Sequence, residues 1–179
     1  MMPFIVFASS MIFAMSAWAG PNQIEIVGLV PGESTQGEVE KAKSEFGYVI
    51  GGYELICIPE YIDGVLSQLL CVTGEKSASR DKTTDSYRLA SNTEVHVALL
   101  KGFTKKFGAP SKIENSSVRN RLGTEFSRNS AAWVDKKGNK LTIISMASKI
   151  DEGMLLLESA QQIRKDEAQS GKAEQQRKF

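Results

Sequence analysis

The fold is decided by Ser91-Asn-Thr-Glu-Val-His-Val-Ala-Leu-Leu-Lys-Gly-Phe-Thr-Lys-Lys-Phe-Gly-Ala-Pro110. Ser91 is placed to cap a helix, and Glu94, three residues on, completes a capping box with it. Val95, Leu99, Phe103 and Phe107 recur at steps of four, with Ala98 and Leu100 widening the stripe. Lys101, Lys105 and Lys106 fall on the wet side, two of them near the C-terminal end, where the helix dipole favours cations. Gly108 suits a left-handed C-cap, and Pro110 forbids continuation. At about 1.5–3 kcal/mol for each large side chain buried, this stripe is the largest block of core on offer. Such a helix must press on something, and the flanking segments read as strands.

Downstream, residues 126–135, 141–147 and 154–158 read as a meander. The first of these strands carries Trp133. Lys136-Lys-Gly-Asn139 and Asp151-Glu-Gly153 supply the turns. Leu141 and Ile143 fall on one side, Ile144 and Met146 on the other. Apolar residues on both sides are expected of a central strand that is covered on each face.

Upstream, residues 48–58 and 65–73 flank a turn at Asp63-Gly64, with Gly51-Gly52 marking a bulge or tight bend. Folding the chain about Gly64 puts Cys57 opposite Cys71, the only cysteines, so a cross-strand disulfide is expected. A loop of that length is worth about 3 kcal/mol in the chain-entropy model. A redox-active pair would need a C-x-x-C motif or an activating neighbour, and the sequence has neither. Earlier still, Pro31-Gly32 turns the chain, and Thr35 with Glu38 forms a second capping box. Val39, Ala42 and Phe46 then give a narrow helical stripe that Gly47 ends.

Residues 74–90 and 109–123 read as polar connectors. The first holds Lys76, Arg80, Lys82, Tyr87 and Arg88, and long loops of this kind are either functional or solvated. Tyr87, Arg88 and Trp133 are the candidate binding residues. The expected fold class is therefore α+β in two layers, helices packed on one face of an antiparallel sheet. The expected order is helix-strand-strand-helix-strand-strand-strand.

Residues 1–18 contain no charged side chain, and Ala17-Trp18-Ala19 has the small-residue form that signal peptidase accepts. We read 1–19 as a cleaved signal peptide, 20–158 as a single α+β domain, and 159–179 as a polar, largely disordered tail without an apolar stripe. A retained anchor is the alternative reading of 1–19. A disulfide behind an export signal implies the periplasm or the exterior, with no stable membrane insertion once the signal is removed.

Formal net charge is +1 with both signs interspersed, so nothing suggests a nucleic-acid footprint. His96 is the only histidine. A lone histidine beside a capped helix start is a surface or half-buried residue more often than a general base. No Cys/His or acidic cluster suggests a metal, no glycine loop a nucleotide, and no G-x-S-x-G elbow a hydrolase. No catalytic residue and no cofactor is assigned. Glu60, Asp63, Asp81 and Asp85 could supply a carboxylate pair for glycosidic chemistry, but they fall where acidic residues are ordinary.

Gly28-Leu-Val-Pro-Gly-Glu-Ser-Thr35 with Glu38-Val39 resembles the helix opening of small exported bacterial domains, the SmpA/OmlA outer-membrane-assembly lipoproteins and β-lactamase-inhibitor-protein-like scaffolds. Phe107-Gly-Ala-Pro110 resembles their helix ending. Trp133, Lys137-Gly-Asn139 and residues 141–144 resemble their strand hairpin. The resemblance implies a binding scaffold rather than a catalyst. No cysteine follows the signal, so lipid anchoring does not carry over, and no binding residue transfers. The expectation is an exported binding, assembly or inhibitor-type domain acting on a protein or envelope component. The alternatives are a small secreted hydrolase using loop carboxylates, or a secreted effector.

Overall fold

A computed structural model describes residues 20–74, 78–81, 86–119, 122–147 and 151–176, with backbone alone for 78–81, 86–89 and 174–176. In chain order the elements are α1 (Gln36–Lys41), β1 (Tyr48–Ile50), β2 (Tyr53–Ile62), β3 (Val65–Gly74), β4 (Ala78–Asp81), β5 (Ser86–Leu89), α2 (Asn92–Phe107), β6 (Lys112–Arg119), β7 (Glu125–Val134), β8 (Lys140–Ile144), β9 (Glu152–Glu158) and α3 (Ala160–Gln176). The strands form one mixed-length antiparallel sheet in the order β5-β4-β2-β3-β9-β8-β7-β6, and β1 also pairs with β2. Residues 1–19, including Ala17 and Ala19, lie outside the described residues.

α2 forms where the caps place it. Ser91 Oγ accepts from the Glu94 N–H at 3.2 Å, while the Glu94 carboxylate takes the Tyr53 hydroxyl at 3.2 Å. Val95, Leu99, Phe103 and Phe107 are all buried, and Gly108 closes the helix with φ +84°. The sheet meets this stripe with two straight rows of side chains. Directly paired residues share a face, so Leu69, Leu157, Leu141 and Trp133 line up across β3, β9, β8 and β7. Cys71, Leu155, Ile143 and Ala131 form the next row. Both rows are buried and belong to one core with the α2 stripe. Phe103 meets Trp133 edge-on at 5.8 Å, and the Trp133 indole N–H donates to the Gly108 carbonyl at 2.9 Å.

The start of α2 is tied down by polar contacts as well. Asn92 is buried; its amide donates to the Ser145 carbonyl, and its Oδ1 accepts from Thr73 Oγ1 at 2.9 Å. These bonds join the helix to β3 and to the end of β8. Asp135 performs the same service at the other end of the sheet, accepting from the N–H groups of Ile24, Lys137 and Asn139.

Cys57 and Cys71 face each other across the β2–β3 ladder and are joined as a disulfide. Asp63 and Gly64 both adopt positive φ, +51° and +80°, which is the backbone a tight two-residue hairpin turn demands.

Four segments differ from expectation. Residues 74–90 contain the β4–β5 hairpin, and residues 109–123 contain β6. β6 is a polar strand held by its neighbour's ladder rather than by a buried face. α1 ends at Lys41, leaving Phe46 exposed beyond it. Gly47 stops the chain there because it passes against β2: a Cβ on it would lie 2.1 Å from the Leu55 carbonyl oxygen. The tail forms α3, which lacks an apolar stripe but is fastened at its start. The Ser159 N–H bonds to the Ser67 carbonyl, Ser159 Oγ caps Gln162, and the Ala160 N–H bonds to Asn139 Oδ1.

Candidate functional site

The side of the sheet turned away from α2 carries a second set of rows. Ile58, Leu70, Leu156, Thr142 and Ala132 form one, and Ile56, Val72, Met154, Ile144 and Ser130 form the next. Ile58 is 60% exposed and Ile56 47%, while Leu70, Val72, Leu156, Met154 and Ile144 are half-buried. The first turns of α3 lie at the row formed by Gln68, Glu158 and Lys140, where Asp166 acts on Glu158.

At its β6 end the face dips into a groove of about 680 Å³ lined by Ile113, Glu114, Arg128, Ser130, Thr142 and Ile144. Among the described residues, the buried hydroxyl of Thr142 has no hydrogen-bond partner. Glu114 is held below the usual carboxylate range by its hydrogen bond from Lys112, with the charges of Lys112, Lys140 and Arg128 adding to the effect. Along the adjoining margin, in the row of Gln68 and Lys140, Glu158 is pushed up, chiefly by burial, with the Asp166 carboxylate adding and Lys140 opposing. The face is therefore an apolar band with ionisable groups along two adjoining margins.

The other candidates fall elsewhere. Trp133, expected as a binding residue, is fully buried and serves the core beneath α2, so it presents nothing to a partner. Tyr87 and Arg88 lie in β5, opposite Arg80 and Ser79. Their side chains are outside the described residues, as are Lys76 and Lys82. His96 is buried, and desolvation lowers its pKa. Glu60 stands on β2 and Asp63 in the hairpin turn, both exposed; Asp85 and the side chain of Asp81 lie outside the described residues. Among the described residues, no three His, Cys, Asp or Glu side chains converge as metal ligands. No described helix is long and apolar enough to cross a membrane.

The residues that make the open face were legible only as a pattern. β9 reads Met154-Leu-Leu-Leu157 and β3 reads Leu69-Leu-Cys-Val72, apolar at both parities. That signals two apolar faces without saying which one the helices leave bare. Compared with known family models, curated proteins and solved structures, the chain matches none.

Proposed function

We propose that this chain is an exported, non-enzymatic binding domain that engages a protein or cell-envelope component through the open sheet face. In this reading the chain acts in the periplasm or outside the cell. The helices form one layer over the inner rows of the sheet, and the outer rows are the working surface. The observation that carries it is the apolar band on the side of the sheet away from α2, in which Ile56 and Ile58 are exposed and Leu70, Val72, Met154, Leu156 and Ile144 half-buried. Soluble monomers rarely leave a contiguous apolar patch of more than a few hundred Å² without a use for it.

Two further observations support the reading. The Cys57–Cys71 disulfide fits an oxidising compartment, and it lies directly under the β2 side of the open face. The bridge fixes the register of the β2–β3 hairpin, which keeps Ile56 and Ile58 on the outer side; a slip of one residue would turn them inward. The resemblance to envelope-assembly and inhibitor scaffolds points to the same class of activity.

The test is co-purification from envelope extract with tagged protein, comparing Ile58→Asp with Val97→Asp. Val97 is 57% exposed on α2, away from the sheet, and serves as a matched control. A species retained by the unaltered protein and by Val97→Asp but lost with Ile58→Asp supports the proposal. Recovery that is equal for all three, or absent for all three, refutes it.

A further inference from the structure

The outermost strand, whose residues line one end of the open face, has a further property in its free edge. β6 ends the sheet and pairs one-to-one with β7 over all eight residues, without a register shift. Seven of its eight side chains are exposed and Val118 is half-buried, so neither side of the strand is covered. β8 pairs with β7 only from Ser130 onward. Ser116–Arg119 of β6 and their partners Glu125–Arg128 of β7 are therefore a ribbon of two strands, an arrangement that is marginal in water by itself.

Proteins guard such edges with proline, a bulge or a charge in mid-strand. β6 has no proline and no bulge, and its middle, Asn115-Ser-Ser-Val118, is uncharged. Its charges stand near the ends and are matched within the chain. Lys112 pairs with Glu114 at 2.6 Å, and Arg119 pairs with Glu125 at 3.9 Å.

We propose that β6 is a self-association edge, through which two copies of this chain pair antiparallel about a two-fold axis passing beside Ser116. A two-fold axis normal to the sheet must place some residue opposite its own copy. Two registers keep seven residues of β6 paired, one centred on Asn115 and one on Ser116. The first sets Glu114 diagonal to the partner's Glu114, within reach of repulsion. The second sets Ile113 opposite Arg119, Glu114 opposite Val118 and Asn115 opposite Ser117, with no like charges opposite or diagonal. It lays the aliphatic stem of Arg119 on Ile113, which is 62% exposed in the single chain. The added strand also gives the two-stranded ribbon a third and a fourth member. The same axis brings the two open faces to one side of a continuous sheet.

The inference stands apart from the open-face reading, and its test separates the two. Sedimentation velocity of the purified, oxidised protein over a concentration series should show a monomer–dimer equilibrium. Ser116→Lys should weaken it by about tenfold or more, because like charges placed directly opposite are destabilising. Ile58→Asp should leave it unchanged. Ser116→Cys should cross-link between chains on oxidation much faster than Ser127→Cys, a control on the exposed inner strand of the ribbon. A protein that stays monomeric throughout, a dimer indifferent to Ser116→Lys, or equal cross-linking at both positions would overturn the proposal.

Discussion

Replacing Phe103 with alanine probes the contact on which the fold is built. Phe103 is 7% exposed, its ring lies 5.9 Å from that of Phe107, and it meets Trp133 edge-on at 5.8 Å and 74°. Losing the burial of the ring costs about 1.5–3 kcal/mol. Each aromatic contact adds about 0.5–1.5 kcal/mol beyond area. A void left in a rigid core would carry the total to about 5 kcal/mol. Phe103 also borders a cleft of about 210 Å³ that opens to solvent beside Ile26, Val27 and Lys106. Water can enter the space from there, which holds the expected loss to about 3–4 kcal/mol, near the lower end of the range for such truncations. The assay is urea unfolding followed by the fluorescence of Trp133, the only tryptophan after Trp18. The variant should shift the midpoint at nearly constant slope. Phe103→Leu, which keeps most of the volume, should lose less than about 1.5 kcal/mol. A loss below about 1 kcal/mol for the alanine variant would refute the packing of α2 against the Trp133 row.

Three further outcomes follow from single contacts. Reducing the Cys57–Cys71 bridge should lower stability by about 3 kcal/mol for a loop of this length, and non-reducing peptide maps should show the two residues linked; two free thiols in the purified protein would contradict the bridge. Gly153→Ala should destabilise by about 2–3 kcal/mol in the same urea assay, because the added carbon would lie 2.7 Å from the Ile144 carbonyl oxygen as well as 2.4 Å from Asn92 and Thr73, and backbone cannot step aside as a side chain can. Glu158 is pushed above 4.5 by burial, so the folded protein holds its proton longer than the unfolded chain does, and the stability this lends is lost as pH rises through the folded value. Glu158→Gln should therefore raise the thermal midpoint at pH 7 and have little effect near pH 4, about where an ordinary glutamate is half-protonated; no gain at pH 7 would count against a buried charge.

What the sequence made legible was local. The ends of α2 are marked by Ser91, Glu94 and Gly108, and its stripe repeats at helical spacing, so no distant contact is needed to recognise it. The disulfide was equally readable, since the Asp63-Gly64 turn fixes which residues of the two arms meet. β6 was not readable. Lys112-Ile-Glu-Asn-Ser-Ser-Val-Arg119 has no alternation, because both of its sides face water, and it is a strand only because β7 offers a ladder. α3 escaped for a related reason: its attachments are a cap at Ser159 and a bond to Asn139, neither of which leaves a periodic signature. Trp133, expected as a binding residue, is buried instead. Its parity with Ala131 and its place opposite Leu141 put it on the inner face, and parity becomes decisive only once the register is known. The open face shares that difficulty, since apolar residues at both parities imply two apolar faces and cannot say which one a helix will cover.

On the proposed reading, the rows through Ile56 and Ile58 meet a partner. The most direct measurement is photo-crosslinking in living cells with a benzoylphenylalanine placed singly at Ile56, Ile58 or Val97. Ile58 and Val97 are exposed to nearly the same degree, 60% and 57%, so the comparison isolates position from accessibility. Ile56 and Ile58 should each give one adduct of the same mass, and Val97 none. Adducts equally abundant at Val97, or none from the sheet positions, would contradict that reading.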